Sequence, residues 1–133
     1  MSEMTPVTVN KRLLWAGRGV SALPVLALTM SATMKLKGGP QVMEGFTGHF
    51  GYPASAVLPI GIAELLCVIL YVIPQTSVLG AAIATGYLGG VVATHVRMGE
   101  GFGTAIVLGV LLWIGLWLRE PRLMPLFPLR KPL

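Results

Sequence analysis

Two apolar runs lie almost back to back in this chain and leave it little choice of fold. Ala54 to Ile73 and Ser77 to Val96 each hold twenty residues, and only Pro74-Gln75-Thr76 separates them. At 1.5 Å rise per residue, either run can cross a hydrocarbon core of about 30 Å as a helix. A helix is what such a segment forms in lipid, because it satisfies its backbone donors and acceptors internally. Pro74 ends the first helix and forces a tight turn, so the two become antiparallel neighbours. The first run carries one charge, Glu64, near its middle. An acid at that depth is costly against lipid, so its side chain should face protein, water or a ligand.

Two further spans flank this pair. Lys11 and Arg12 precede Leu13-Leu14-Trp15, a basic, aromatic-anchored approach to a helix expected over about residues 16–35. Arg18 in its first turn can snorkel back to headgroups. Pro24, Thr29, Ser31 and Thr33 make the second half polar for a lipid-facing helix, so one face should look inward. Gly38-Gly39-Pro40 stops it. A fourth helix is expected over about residues 103–118, with Trp113 and Trp117 near its far end as an interfacial aromatic belt. The prolines from Pro121 onward speak against another helix. The expectation is one all-α membrane domain, residues 1–133, built as a four-helix transmembrane bundle with helices at about 16–35, 54–73, 77–97 and 103–118. Met1 to Asn10 reads as a polar, mobile tail, not a cleavable leader, because Ala16 to Met34 is long enough to span.

Composition agrees with this. A hydrophobic fraction of 54%, a charged fraction of 11% and a mean hydropathy of +0.77 do not describe a soluble protein. The net charge of +5 does not point to nucleic acid, because the basic residues sit at the ends of apolar runs, where orientation signals belong. Lys11, Arg12, Arg18, Arg119, Arg122, Arg130 and Lys131 mark one side of four spans; Lys35, Lys37 and Arg97 mark the other. Seven against three places both termini in the cytoplasm and the 38–53 connection outside. The single cysteine, Cys67, excludes an internal disulfide and a dithiol motif, and reads as a small buried hydrophobe.

The residues with chemistry are few. In the second helix, Val57, Ile60, Gly61, Glu64, Cys67, Val68 and Tyr71 share one face. Gly61, one turn before Glu64, allows a backbone or a ligand to come close. Glu64 is either an interhelical hydrogen bond, to Thr29, Ser31 or Tyr87, or an acid/base group in an apolar site. His95 is the partner that titrates near neutral pH. By helical rise it lies about 13 Å from Glu64 along the bundle axis, so a ligand or water between them is expected. Lys35 and Arg97 read most simply as interfacial anchors pairing with Glu44 or Glu100, and alternatively as clamps on a substrate at the outer mouth. In the connection, Val42, Met43, Phe46 and Phe50 fit one face of a short helix lying on the membrane or over the bundle as a lid. Ala82, Gly86 and Gly90 form a small-residue seam for close packing, and His95 points away from it. His49, His95 and Glu44 lack metal-ligand spacing, so no metal is expected. Neither a phosphate loop nor a serine-hydrolase order is present.

Several blocks together resemble a known family. Ser31-Ala-Thr-Met-Lys-Leu36, Gly61-Ile-Ala-Glu-Leu65, Gly80-Ala-Ala-Ile-Ala-Thr-Gly-Tyr-Leu-Gly-Gly90 leading to Ala93-Thr-His-Val-Arg97, and Trp113-Ile-Gly-Leu-Trp-Leu-Arg119 are similar to the DoxX-like family of small bacterial integral membrane proteins, over roughly Leu23 to Arg122. The resemblance implies a four-helix fold in the bacterial inner membrane. It also implies proximity to membrane redox systems, since the wider group is named for a subunit linked to thiosulfate:quinone oxidation. The paired cysteines that thiol–quinone chemistry of the vitamin K reductase type would need are absent.

The functional expectation is therefore a site between the helices for a lipophilic small molecule. Glu64 and His95 are its acid/base candidates, and Lys35, Arg97, Tyr87 and Thr29 its binding candidates. Proton-transfer chemistry (isomerisation, cyclisation, epoxide opening) and quinone-linked redox both suit such a pocket. The alternative is a non-catalytic assembly subunit, packed through the small-residue seam on a second copy or on another membrane protein. A pocket reaching Glu64 would favour the first, and a dry, tightly packed Glu64 the second.

Overall fold

A computed structural model describes residues 9–130 and 132. The expected polar tail and Lys131 lie largely outside the described residues. The chain is helical, with no strand among the described residues. Helix α1 spans Lys11–Lys37, the short α2 spans Pro40–Glu44, and α3, α4 and α5 span Val57–Val72, Ser77–Arg97 and Gly103–Arg119. The four long helices pack as a closed ring, α1 against α3, α3 against α4, α4 against α5, and α5 back against α1. By length and apolar character α1, α3 with its leading turn, and α4 qualify as membrane spans, and α5 is an apolar helix of 17 residues.

The boundaries follow local chemistry. Helix α1 begins five residues before the expected start, because the Asn10 side chain accepts from the Arg12 N–H and caps it. Lys11 and Arg12 therefore belong to the helix. It ends at Gly38, whose φ of 62° is the left-handed turn that glycine adopts freely. Pro74 stops α3 as expected, and Pro74–Thr76 forms a single tight turn into α4. The connection after α1 folds into α2 and a π-helical turn, Gly45–His49, so the expected short helix is there.

The surface is the inverse of a soluble protein's. Leu23, Leu26, Leu66, Leu79, Val107 and Val110 point outward, while Ser21, Glu64 and Ser77 are buried. Water would penalise such an exterior, and lipid accommodates it. Close helix contacts are made by glycines other than the expected seam. A Cβ on Gly115 of α5 would lie 3.1 Å from the Gly17 carbonyl of α1. One on Gly80 would collide with the backbone at Tyr71. Ala82, Gly86 and Gly90 instead make no close helix contact: α4 turns Gly80, Ala81, Ala84 and Leu88 to the core, and Gly86 and Gly90 line a cavity.

Candidate functional site

The face of α3 that carries Glu64 points into the ring. Val57, Gly61, Glu64, Cys67, Val68 and Tyr71 are all buried, and Ile60 lies at the edge of a cavity. Glu64 is 1% exposed, yet it lines that cavity, which measures about 610 Å³. It is not alone, and Tyr87 lines the same cavity. The Lys35 ammonium donates to Glu64 Oε2 at 2.8 Å, and the Ser31 hydroxyl donates to the same oxygen at 3.2 Å. Lys35 also donates to Ser31 Oγ at 2.5 Å, which closes a three-residue knot between α1 and α3.

Lys35 is thus no interfacial anchor: its side chain is 11% exposed and pairs with Glu64, not with Glu44 or Glu100. The reason lies one turn up α3. Gly61 has no side chain, and a Cβ there would stand 2.8 Å from Lys35 Cβ. The lysine stem lies against this bare backbone and carries its charge down to the acid.

Across the cavity, α4 supplies Tyr87, Leu88, Val91 and His95. Nδ1 of His95 sits 2.8 Å from the Val91 carbonyl, a pure acceptor, so Nδ1 carries the proton. In the neutral ring Nε2 is then left with a lone pair as a hydrogen-bond acceptor or base. His95 and Glu64 line the same cavity despite their different depths, with open space between them.

The α1–α3 connection roofs the cavity with Phe46, Phe50 and Tyr52. Phe50 stacks edge-on against His95 with ring centroids 5.6 Å apart, and Lys35 Nζ lies 5.7 Å from the Phe46 ring centre. Three bonds hold this lid to the far side of the ring. His49 pairs with Glu100, Arg97 donates to the Phe50 carbonyl at 2.5 Å, and the hydroxyls of Tyr52 and Thr94 meet at 2.7 Å. Arg97 therefore secures the lid and does not line the cavity. Thr29 does not line it either, because its hydroxyl donates back to the Val25 carbonyl. The tryptophans expected as a belt are bonded within the protein, Trp113 to Thr85 and Trp117 to the Phe127 carbonyl.

The matched blocks and this site sit in one stretch of chain. Residues 19–118 match the DoxX-like family. The chain belongs to the DoxX-like family. With its apolar helices, this makes it a membrane protein. No curated protein and no solved structure matches it. In this DoxX-like protein, the Lys35–Glu64 pair and the lid both fall inside the matched region.

Proposed function

We propose that this DoxX-like protein crosses the bacterial inner membrane four times, with both termini cytoplasmic. Its lidded cavity binds a lipophilic small molecule bearing an electronegative oxygen and moves a proton on it. The observation that carries this reading is a charged, hydrogen-bonded knot, Lys35–Glu64–Ser31, set in the wall of an otherwise largely apolar cavity. Buried ion pairs are poor stabilisers and are retained most readily where they act. Lys35 is held against Glu64, and its ammonium is a donor for a carbonyl or epoxide oxygen. His95 Nε2 accepts a proton from a neighbouring carbon and returns it at a second carbon, which completes an isomerisation without net gain or loss. The aromatic lid keeps water out during the exchange. A quinone carbonyl suits the same donor, with a redox partner supplying its electrons.

The test is mass spectrometry of lipophilic compounds co-extracted with the purified protein. A compound present with wild type and lost in Lys35→Met and Glu64→Gln, with helicity retained, is the expected result. An identical extract from all three proteins would sink the reading.

A second reading is an assembly subunit that packs through the exposed Ala82 end of the Ala82–Gly86–Gly90 row, whose two glycines also line the lidded cavity. Such seams join membrane helices closely. If it joins two copies, Ala82→Leu, which leaves the cavity intact, reduces the particle mass in light scattering to that of one chain.

A further inference from the structure

The end of the bundle opposite the lid holds a second cavity, of about 850 Å³, between the first turns of α1, the α3–α4 turn and the chain that follows α5. Its wall contains an unmet cation. Arg119 donates through Nε to the Gly115 carbonyl at 3.2 Å, and its guanidinium lies 5.0 Å from the centre of the Tyr71 ring. Its Nη2 is buried and has no hydrogen-bond partner among the described residues. A buried donor left without an acceptor costs stability, and in a charged group the cost is larger. Arg18 lines the same cavity and is held by stacking, 4.9 Å from the Trp15 ring centre.

The only carboxylate on this cavity among the described residues is Glu120, and Arg122 already occupies it through two bonds of 2.7 and 2.9 Å. Among the described residues, Arg18 and Arg119 therefore have no carboxylate partner there. The first turn of α4 faces the same space and adds the partial positive charge of a helix N-terminus. Planar guanidinium forks match the oxygens of a phosphate, and Arg18 and Arg119 both line the space where one would sit.

We propose that this cavity binds a phosphate group, carried by an anionic phospholipid headgroup or by a soluble phosphate, with Arg119 and Arg18 as its ligands. The site is separate from the lidded cavity and does not depend on the function proposed for it.

The experiment uses the full chain in detergent, with native mass spectrometry after equal additions of phosphatidylglycerol and diacylglycerol, which lacks the phosphate. Wild type is expected to retain phosphatidylglycerol preferentially, and Arg119→Gln to lower that retention about tenfold, the loss of one charge-assisted contact of about 1.4 kcal/mol. Arg18→Gln, at an exposed position, gives the same result should Arg119→Gln fail to fold. Lys11→Gln/Arg12→Gln removes two charges from the same end but outside the cavity, and should leave retention unchanged. Inorganic phosphate distinguishes the sources. If it displaces phosphatidylglycerol or binds by calorimetry, the site takes free phosphate as well; if it does neither while the lipid preference holds, the site is for a headgroup. Equal retention of both lipids with no phosphate binding overturns the proposal. So does a loss in Lys11→Gln/Arg12→Gln as large as that in Arg119→Gln.

Discussion

Lys35 and Glu64 share so little solvent that neither tolerates the loss of the other. Glu64→Gln leaves a buried ammonium without its counter-charge, and removing one partner of such a pair costs about 3–5 kcal/mol. We expect a large drop in the midpoint of unfolding in mild detergent. Replacing both, Lys35→Met with Glu64→Leu, should recover most of that loss, because an apolar pair of similar volume needs no desolvation. Ligand retention should stay lost in the double variant, so the pair of measurements separates a functional ion pair from a structural one. Gly61→Ala belongs with these. Its methyl would stand 2.8 Å from Lys35 Cβ, and the lysine must give way, so bound ligand should fall without any change of charge. Glu64 was legible in the sequence because a lone acid inside an apolar run stands out. Its partner was not: a lysine three residues from a glycine stop looks like an interfacial anchor, and Gly61 marks a close approach without saying whose. Arg119 was hidden for the same reason, since a basic residue at a helix end is the ordinary orientation signal.

Helix α4 was readable to the residue and α3 except for its first turn, Ala54–Ala56, which is a 3-10 turn, because hydrophobic length and Pro74 define them without help from packing. The start of α1 was not, since a single capping bond from Asn10 extends it backward. Nor was the use of the glycines. Spacing alone favoured Ala82, Gly86 and Gly90, whereas the bundle closes through Gly17, Gly61, Gly80 and Gly115. Which side of a uniformly apolar helix faces its neighbour is decided by all the helices together. Gly80→Ala should accordingly cost about 1–3 kcal/mol in unfolding experiments, since backbone at Tyr71 blocks the new methyl, while Gly89→Ala, in open space, should cost nothing measurable. After α5, the Arg122 guanidinium bonded to Glu120 holds that carboxyl below its usual range. A folded value below the unfolded one means that the contribution is present above the ordinary carboxylate range, near pH 4, and is lost as pH falls through the folded value. Arg122→Gln should therefore narrow the gap in melting temperature between pH 6 and pH 3, with burial of Glu120 opposing the effect in part.

At the scale of the whole molecule, the exterior is apolar around the ring and the polar groups lie inside or at the two ends. Two cavities open at opposite ends, one roofed and one lined by arginines, so the molecule is chemically polarised along its axis. The proposed orientation is checked by labelling single cysteines in whole cells. The native Cys67 is buried and silent. A cysteine at Gly99 should react with an impermeant reagent from outside, and one at Gln75 only after lysis. The lid is joined through the chain to α1 and α3, whereas its three fastenings reach across to Thr94, Arg97 and Glu100. It is tied covalently on one side and latched by side-chain bonds on the other, so the proposed function has it swing open on the α1 and α3 side. In the proposed function, what holds an occupant in equilibrium lies below, at Lys35 and His95, and what times its coming and going lies above. Detailed balance then gives the latch a purely kinetic signature: weakening it through Glu100→Gln should quicken arrival and departure by one common factor, leaving occupancy where it was.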